Sequence, residues 1–341
     1  MTRIYPIILC GGGGTRLWPR SRRSKPKPFL HLLGERTLFQ QALDRVSDAQ
    51  MFEPPIIVAG PDHVPFIKEQ AGEHRVVVEP AAKNTAPAIA LAARLLPRDA
   101  VMLVCPSDHH IADTDSFLAG VREAAELARE GMLVSFGIAP DRPATGYGYI
   151  KRGEPLRSGH RIERFVEKPD IERAREFIAD GGFAWNAGIF TFPAGGLLDE
   201  LAAHRPEMAQ AVESAVAGGA WDAERFDPDA RSFSAIAGES IDFAVMENTD
   251  RAAVVSADIG WSDIGDWASL MEARAGDADG NLVVGRVELA NCRNVMVDTD
   301  GPRVSVVGLE DVVVVVDGDE VLVVRRDHAQ GVGKLDGAAN Q

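Results

Sequence analysis

The chain opens with residues whose types suit the binding of a phosphate anion. The stretch ILCGGGGTRLWPRSRRSKPKPFL, residues 8–30, places the glycines 11–14 ahead of six basic residues and contains no acidic residue. Backbone N–H groups of successive glycines can turn toward a phosphate because no side chain intervenes, and a nearby Arg or Lys can neutralise the remaining charge. The stretch therefore predicts a local anion site in a chain whose formal net charge is −15.

The familiar glycine-rich nucleotide motifs do not fit this stretch. A P-loop requires GxxxxGK[ST], and no lysine follows the glycines at that spacing, while a GxGxxG motif starting at Gly11 would need glycine where Arg16 stands. Hydride chemistry on a bound dinucleotide is therefore disfavoured. Taken alone, the stretch is also compatible with a flexible loop followed by a solvated basic segment. Solvated surface is the favoured interpretation for most of the other basic side chains, Arg20, Arg22, Arg23 and Lys25.

Asp108 is a candidate metal ligand because it follows an apolar run, in the block VCPSDHHI at residues 104–111. Mg²⁺ prefers one or two carboxylates together with substrate phosphates and water, so Asp108 suffices if a second carboxylate comes from elsewhere. A zinc site at His109 and His110 is disfavoured. Adjacent histidines on a strand point to opposite faces, and no Cys or third His lies at a suitable spacing.

The elements that must position these residues follow an alternating pattern. Val- and Ile-rich runs predict strands at 3–9, 55–60, 74–80, 99–108 and 132–140, and apolar positions at helical spacing predict helices at 37–48, 86–96 and 116–130. This alternation predicts an α/β fold with a Rossmann-like, mostly parallel sheet covered by helices on both faces. The glycines and Asp108 then lie at the carboxyl edge of the sheet, where open α/β folds bind ligands.

The pattern changes near residue 281 to strand after strand separated by short turns, with no helix. The segment 272–281 is the predicted linker. We therefore expect a catalytic domain at residues 1–275 and a small all-β domain at residues 276–341.

Composition limits the class of protein. The chain is 45% hydrophobic and 26% charged, as expected of a folded domain with a large core. Its acidic balance argues against nucleic acid as a partner, and no apolar run reaches the ~18 residues of a membrane span. No signal-like segment is evident at the start, so we expect a cytoplasmic protein without a membrane partner. The three cysteines are widely spaced and are expected to be buried free thiols.

The spelling GGxGTRLxP followed by KPK, within residues 11–27, resembles the signature of the sugar-nucleotide pyrophosphorylases, and most closely that of the mannose-1-phosphate guanylyltransferases. The C-terminal strands look like the short left-handed β-helix-like end of that family. Further blocks with the same resemblance follow in the same order: VEPAAKNTAPAIALAA, VCPSDHHI, TGYGYI, FVEKP, WNAGIF, SIDFAVME and GWSDIGDW.

The resemblance implies that the phosphate oxygen of mannose 1-phosphate attacks the α-phosphorus of GTP, giving GDP-mannose and pyrophosphate with Mg²⁺ as the cofactor. A phosphate monoester has a second pKa near ~6, so the nucleophile is already ionised at neutral pH and needs no general base. The site must instead supply positive charge that brings two polyanions together.

The resemblance also implies a role for individual residues. The triphosphate would lie on Gly11, Gly12, Gly13, Gly14 and Thr15, with Arg16 and Lys27 neutralising the phosphates and the departing pyrophosphate. Asp108 and Asp263 would hold the metal, whereas Asp266 is expected to be a helix N-terminal residue. Glu79 would accept from the guanine N1–H and amine, with Asn84, Thr85 and Ser107 also on the nucleotide. Lys168 would contact the sugar phosphate, and Glu167 and Asn186 would contact the sugar hydroxyls. Gly146 would let the backbone approach the sugar.

The chain departs from the family pattern at three positions. Pro28 replaces a usual glutamine and removes a backbone donor beside Lys27, Phe243 replaces a tyrosine, and Asn248 stands where lysine is common. None of these changes touches the glycines, Asp108 or the other principal site residues.

Two alternatives stay open at this point. A guanylyltransferase for another manno-configured sugar 1-phosphate, such as a heptose, would share nearly every motif. A non-catalytic paralogue that binds the sugar nucleotide would be expected to have lost a metal carboxylate or a phosphate-binding lysine, and this sequence has lost neither. The oligomeric state is also open, with a homodimer as one candidate arrangement.

Overall fold

The computed structural model describes residues 3–339. The strands, in chain order, are β1 (Tyr5–Cys10), β2 (Ile56–Ala59), β3 (Arg75–Val78), β4 (Val101–Pro106), β5 (His110–Ile111), β6 (Leu133–Ile138), β7 (Tyr149–Leu156), β8 (Gly159–Val166), β9 (Phe183–Pro193), β10 (Ala220–Asp222), β11 (Arg225–Asp227), β12 (Ala252–Ser256), β13 (Trp261–Ser262), β14 (Leu282–Val284), β15 (Val287–Ala290), β16 (Met296–Thr299), β17 (Val304–Val307), β18 (Val312–Asp317) and β19 (Glu320–Arg325).

The α-helices are α1 (Leu38–Asp44), α2 (Val64–Gln70), α3 (Thr85–Arg94), α4 (Thr114–Arg129), α5 (Ile171–Asp180), α6 (Ala194–His204), α7 (Pro206–Ala217), α8 (Ala230–Ser234), α9 (Trp267–Glu272) and α10 (Asp336–Ala339). Short 3-10 turns cover Thr15–Leu17, Lys27–Phe29, Pro61–His63 and Arg326–Lys334. A π-helical turn covers Asp242–Met246.

The chain divides into two compact units, each built from separated segments. The first unit comprises Met1–Gly11, Ala42–Ser107 and Ile111–Trp261, and the second comprises Gly12–Gln41, Asp108–His110 and Ser262–Gln341. The phosphate-binding segment predicted after β1 thus belongs mainly to the second unit. The domain boundary predicted between residues 275 and 276 stays a prediction.

The first unit is built on one mixed sheet, whose order is β10-β11-β3-β2-β1-β4-β9-β6-β12-β8-β7. Its parallel pairings run through β11, β3, β2, β1 and β4 and also join β12 to β6, and Ile7 pairs with Ile56 on one side and Val104 on the other. Strand β9 is antiparallel to both β4 and β6. Strands β1, β2 and β4 are apolar along their whole length, as expected of strands that are buried on both faces. The predicted α/β class is confirmed.

The helices of the first unit show two kinds of packing. Helix α3 is rich in alanine and buried from Ala86 to Ala93, so it packs closely against the sheet. Helix α4 is amphipathic and buries residues at helical spacing, among them Phe117, Val121 and Ala125. The strands and helices predicted from periodicity are present, with ends that differ by up to four residues.

The second unit contains the C-terminal strands, and most of their pairings are parallel. Strand β16 pairs in parallel with β14 and β18, β15 pairs in parallel with β17, and β18 forms an antiparallel pair with β19. Valines 295, 297, 306 and 314 fill the space between them. This stacking of short parallel strands agrees with the predicted β-helix-like end.

The three cysteines are buried free thiols, as predicted. Among residues 3–339, no helix combines the length and the apolar character that crossing a membrane requires. The cytoplasmic location stays a prediction.

Candidate active site

Gly14 lies where no other residue fits. Its φ is +58°, in the left-handed region, and a Cβ at this position would lie 2.6 Å from Lys27 Cβ and 2.6 Å from Ser21 Oγ. The absent side chain therefore lets the glycine segment approach the Lys27 segment within the second unit. Gly12 also has a positive φ, of +87°, with open space around it. Gly11, Gly13 and Thr15 are exposed, so the segment presents its backbone to solvent.

Lys27 connects two aspartates that are distant in the sequence. Its side chain is buried, at 6% exposure, and its Nζ donates to Asp108 Oδ2 at 2.7 Å and to the main-chain oxygen of Asp263 at 2.5 Å. Asp108 Oδ2 and the main-chain oxygen of Asp263 therefore lie close to each other, because both accept from the same Nζ. The second unit thus brings together three residues for which the family resemblance implied a shared role.

Asp108 stays ionised although it is largely enclosed. Burial alone would raise the pKa of its carboxyl group, but the charges of Lys27 and His109 and the hydrogen bond from Lys27 outweigh burial and hold the pKa below its usual value. Its second oxygen, Oδ1, lies 4.0 Å from His109 Nε2, which is beyond hydrogen-bond distance. That oxygen remains able to take a ligand.

The donor set at this point suits a hard divalent cation. Asp108 and Asp263 would supply carboxylate oxygens, the ligand type that Mg²⁺ prefers, and the set would include no thiolate. Across residues 3–339, no group of three His, Cys, Asp or Glu side chains is arranged to hold a metal. An ion held by the two aspartates would therefore complete its coordination with phosphate oxygens and water, as Mg²⁺ commonly does.

The segment that carries Asp263 is fixed by local hydrogen bonds. Asp263 Oδ1 accepts from the Gly265 N–H at 3.1 Å, and a Cβ at Gly265 would lie 2.8 Å from Asp263 Oδ2. Asp266 caps helix α9 through a reciprocal capping box with Ser269, as predicted for a helix N-terminal residue. The following Trp267 donates its Nε1–H to the Trp18 carbonyl at 2.9 Å. This hydrogen bond joins α9 to the segment that follows the glycines, residues 15–27.

Two basic residues of the opening stretch, Arg20 and Arg22, form ion pairs within the protein and are not free surface charges. Arg20 forms ion pairs with Asp298 at 2.5 Å and Asp317 at 2.8 Å, and Arg22 pairs with Asp317 at 2.8 Å. The interpretation as surface charge was therefore wrong for these two, because their partners come from the C-terminal strands. Of the remaining four basic side chains, Lys27 is buried, and Arg16, Arg23 and Lys25 are exposed.

The substitution by Pro28 is compatible with the local backbone. Pro28 is the second residue of the 3-10 turn Lys27–Phe29, a position whose N–H would have no partner within the turn. Lys27 itself remains held by its two acceptors, Asp108 and Asp263.

Two predicted nucleotide contacts in the first unit carry buried polar atoms without a partner among the described residues. Glu79 follows β3, and its Oε1 is buried without a hydrogen bond. Burial raises the pKa of Glu79 to about 7. Ser107 follows β4 and is 0% exposed, and its Oγ is likewise without a partner. Buried polar atoms in proteins are normally paired, so both atoms are suited to bind a ligand.

Asn84 and Thr85 are already engaged at the start of α3. Asn84 has a φ of +69° and accepts from the Thr85 N–H through Oδ1 at 2.8 Å. Thr85 Oγ1 accepts from the Ile241 N–H at 2.9 Å, so the hydroxyl hydrogen remains available as a donor. The start of α3 is thus hydrogen-bonded to the segment that precedes Asp242.

The predicted sugar residues form a second cluster in the first unit. Lys168 has a φ of +47°, and its Nζ lies 3.1 Å from Glu167 Oε1. A Cβ at Gly148 would lie 2.5 Å from Glu167 Oε2 and 3.2 Å from Asn186 Cβ, whereas Gly146 has open space around it. The approach of the sugar to the backbone at Gly146 stays a prediction, and Gly148 is the glycine of this block that lies against the protein's own side chains.

Asn186 uses most of its hydrogen-bonding capacity within the protein. Its Oδ1 accepts from Ser135 Oγ at 2.7 Å and from the Gly188 N–H at 3.1 Å, and its Nδ2 donates to Asp242 Oδ1 at 2.9 Å. One N–H of the amide is left for a substrate. Asn186 therefore joins the sugar cluster mainly by holding Asp242.

Sequence analysis missed three residues of this cluster: Gly148, Asp242 and Glu247. Glu247 accepts from the Glu167 N–H at 3.0 Å. All three lie inside blocks that carry the family resemblance, TGYGYI and SIDFAVME. The resemblance of the blocks was the available signal, but it gave no role to these positions.

Comparison with known proteins agrees with the resemblance. The family described as "Nucleotidyl transferase" matches residues 5–280, and the "MannoseP isomerase/GMP-like beta-helix domain" matches residues 285–335. A mannose-1-phosphate guanylyltransferase of Sinorhizobium fredii is 42% identical over 345 residues, which cover 98% of this chain and 67% of that protein. The protein of the same name from Escherichia coli is 41% identical, over 98% of this chain and 73% of its own length.

A solved structure matches the whole chain. The crystal structure of a Thermus thermophilus protein described as a mannose-1-phosphate geranyltransferase is 32% identical, with a TM-score of 0.90 and full coverage of both chains. The fold is therefore shared over the catalytic part and the C-terminal strands.

Proposed function

The chain belongs to the nucleotidyl transferase family, and on that premise we propose that it transfers GMP from GTP to mannose 1-phosphate, giving GDP-mannose and pyrophosphate. The observation that carries the proposal is the junction at Lys27, where a buried ammonium contacts Asp108 and the backbone of Asp263. The joining of two phosphate groups requires positive charge, which Lys27 and a metal ion held by the carboxylates would supply.

The reaction is a substitution at the α-phosphorus of GTP. An oxygen of the sugar phosphate forms the new P–O bond, the bond between the α-phosphorus and the bridging oxygen breaks, and pyrophosphate leaves with that electron pair. The sugar phosphate is ionised at neutral pH, so the protein does not have to remove a proton from it. Orientation and charge neutralisation are the remaining tasks of the protein.

We propose that the glycine segment and the Lys27 junction bind the triphosphate. The backbone of residues 11–15 binds phosphate oxygens, and Arg16 and Lys27 neutralise the β- and γ-phosphates and the pyrophosphate that leaves. Asp108 and Asp263 would hold Mg²⁺, which when bound supplies positive charge to the phosphate oxygens. Lys27 contacts both residues, and its charge lowers the pKa of the Asp108 carboxyl group.

We propose that Glu79 and its neighbours recognise the base and that the cluster at Lys168 recognises the sugar. Glu79, as a carboxylate, accepts from the guanine N1–H and exocyclic amine, a donor pair that adenine does not present in that arrangement. Ser107 and the Asn84–Thr85 segment contact the rest of the nucleoside. Lys168 binds the sugar phosphate, and Glu167 accepts from the sugar hydroxyls. The unpartnered Glu79 Oε1 and Ser107 Oγ support the nucleotide assignments.

We also propose that the catalytic domain ends near residue 275. The two family matches support this division, since the first ends at residue 280 and the second begins at residue 285. A homodimer stays a prediction.

The direct test is an assay of the purified protein with Mg²⁺, GTP and mannose 1-phosphate, read by pyrophosphate release and by detection of GDP-mannose. We expect turnover with GTP and much lower rates with ATP, UTP or dTTP. A parallel series of sugar 1-phosphates, including a manno-configured heptose 1-phosphate, identifies the preferred sugar. Absence of turnover with every sugar 1-phosphate would overturn the enzyme assignment, and equal turnover with another nucleotide would overturn the base assignment.

A further inference from the structure

Asp242 occupies an unusual place in the backbone of the first unit. It is the first residue of the π-helical turn Asp242–Met246. Turns of this kind are rare and occur frequently at functional sites. Asp242 is half-buried, and none of the roles proposed above depends on it.

The carboxylate of Asp242 is oriented by a chain of buried hydrogen bonds. Ser135, which is 0% exposed on strand β6, donates to Asn186 Oδ1, and Asn186 in turn donates to Asp242 Oδ1 at 2.9 Å. The Gly188 N–H also donates to Asn186 Oδ1, so the amide cannot rotate without losing three bonds. These contacts fix Oδ1 of Asp242, and a hydrogen bond with the Ser240 side chain also acts on the carboxyl group.

The backbone on either side of Asp242 is held as well. The Ile241 N–H donates to Thr85 Oγ1 at 2.9 Å. Glu239 forms a bidentate ion pair with Arg205, whose Nε and Nη2 each donate to a carboxylate oxygen at 2.7 Å. After Asp242, the Phe243 carbonyl accepts from Asn248 Nδ2 at 2.7 Å. Asp242 is therefore presented by a rigid segment rather than by a mobile loop.

The charges that face Asp242 do not neutralise it. Among residues 3–339, Asp242 has no ion-pair partner within 4.0 Å, and the ammonium of the neighbouring Lys168 lies against Glu167 instead. Burial and then the charge of Glu167 raise the pKa of Asp242 to about 7, against the opposing effects of its own backbone, Ser240 and Lys168. Two acidic groups thus share one cation on the surface proposed to bind the sugar.

This arrangement suits neighbouring hydroxyl groups. A sugar hydroxyl can donate to a carboxylate and can accept from a protonated carboxyl group, so it can pair with either form of an acid. Two acids side by side match two adjacent ring hydroxyls, whereas a phosphate would be repelled by both. The cation that the phosphate requires is supplied by Lys168, on the exposed side of Glu167.

We propose that Asp242, together with Glu167, binds two adjacent hydroxyls of the sugar and thereby determines which sugar 1-phosphates the protein accepts. The proposal rests on the proposed function and deepens it, since it assigns a specificity-determining residue to the same site. Asn186 and Ser135 are positioning residues, which act on the sugar through Asp242.

The test compares the wild type with Asp242→Asn, which keeps the shape of the side chain and an acceptor for Asn186. The substrates are mannose 1-phosphate and its 2-, 3-, 4- and 6-deoxy analogues, and kcat/KM is measured for each. We expect the wild type to discriminate by about tenfold or more against the analogue that lacks the hydroxyl bound by Asp242, because the carboxylate is then left without its donor. In Asp242→Asn the ratio of kcat/KM for mannose 1-phosphate to kcat/KM for that analogue should fall to within about threefold of unity. The KM for GTP should be unchanged.

Two further variants separate recognition from folding. Asp250→Asn changes an exposed aspartate of the same region whose side chain has no hydrogen bond or ion pair among the described residues, and it should leave every ratio at the wild-type value. Ser135→Ala removes only the hydroxyl that orients Asn186, and it should lower the same discrimination ratio by less than Asp242→Asn does. If Asp242→Asn fails to fold, the ratio in Ser135→Ala tests the inference.

The outcomes distinguish this inference from the proposed function. If the wild type turns over no sugar 1-phosphate, the proposed function fails, and calorimetric binding of mannose 1-phosphate to wild type and Asp242→Asn then tests the inference alone, with about tenfold weaker binding expected. Unchanged ratios in both Asp242→Asn and Ser135→Ala, or equal losses toward GTP and sugar, would overturn the inference while the proposed function stands.

Discussion

Lys27 and Asp108 form an ion pair across 81 positions of sequence, with Nζ 2.7 Å from Oδ2. The lysine is buried, and its ammonium also contacts the Asp263 backbone. A buried charge is tolerated only when it is paired, so each member of the pair stabilises the other before any substrate arrives. The same contacts set a cation beside the carboxylates that are proposed to hold Mg²⁺.

Removal of the Lys27 charge should separate metal affinity from activity. In Lys27→Met, kcat/KM should fall by at least about 100-fold, because the triphosphate loses a buried cation in the transition state. The affinity for Mg²⁺ without GTP should rise, because a positive charge next to Asp108 has been removed. Calorimetric Mg²⁺ titration and steady-state kinetics measure the two effects. The exposed Lys25→Met is the matched control, and weaker Mg²⁺ binding in Lys27→Met would contradict the prediction.

Asp108 and Asp263 should behave as one functional group. Asp108→Asn and Asp263→Asn keep the size of the side chain but remove its charge, so each should lower kcat by about 100-fold or more with little change in Tm. Because both act through one ion, the double variant should be scarcely worse than the poorer single variant. Kinetics over a range of Mg²⁺ concentrations tests this, and losses that simply multiply would rule out a shared metal.

The raised pKa of Glu79 predicts that GTP binding depends on pH. Burial raises the pKa of Glu79 to about 7, so its carboxyl group is mostly protonated at pH 6 and mostly ionised at pH 8. Only the carboxylate accepts both guanine N–H donors, so the KM for GTP should rise by up to about tenfold per pH unit below pH 7. Glu79→Gln should lose this dependence together with the preference for GTP over ATP, while the exposed Glu73→Gln should keep both. A KM for GTP that is constant from pH 6 to pH 8 in the wild type would remove the role of Glu79.

The periodicity of the sequence was sufficient to predict the central strands of the first unit. β1 and β4 are continuous apolar runs because both of their faces are buried, and that composition is visible without a structure. The positions of the glycines and of Asp108 just after these strands followed from the same pattern. The later antiparallel strands, such as β7 and β8, are partly exposed and less regular in hydrophobicity, so periodicity did not indicate them.

Contacts between distant segments could not be predicted from local pattern. Lys27 meets the Asp263 carbonyl across 236 positions, and the only earlier indication was the family resemblance of their blocks. Arg20 is indistinguishable in the sequence from its exposed neighbour Arg23, because its partners Asp298 and Asp317 follow from the position of the C-terminal strands. The role of Asp242 likewise depends on Asn186, which lies on another element.

Lys168 should affect the sugar substrate and not the nucleotide. Its side chain is exposed and has Glu167 as its ion-pair partner, so its loss should cost little stability. If the ammonium binds the sugar phosphate, Lys168→Ala loses a charge-assisted contact of about 1.5 to 3 kcal/mol, which lowers kcat/KM for mannose 1-phosphate by about 10- to 100-fold. The KM for GTP should change far less, and the exposed Lys68→Ala serves as a control. Equal impairment toward both substrates would point to a structural role for Lys168.

The ion pairs of Arg20 predict that one C-terminal aspartate stabilises the phosphate segment. Asp298 is largely buried and lies 2.5 Å from the Arg20 guanidinium, while Arg274 lies 3.9 Å from its other oxygen. In Asp298→Ala both arginines lose a buried counter-charge. The loss should be about 3 kcal/mol of unfolding free energy, at the lower end for broken buried pairs because Asp317 still binds Arg20.

Asp300 provides the matched control for this prediction, because it lies 3.9 Å from the same guanidinium but is much more exposed. Asp300→Ala should change the unfolding free energy by less than about 1 kcal/mol, as exposed ion pairs do. Thermal and urea unfolding of both variants measure the difference. Since Arg20 precedes Lys27 in the same segment, Asp298→Ala should also lose activity at a lower temperature than the wild type. Equal stability of the two variants would show that the Arg20–Asp298 pair does not hold this segment in place.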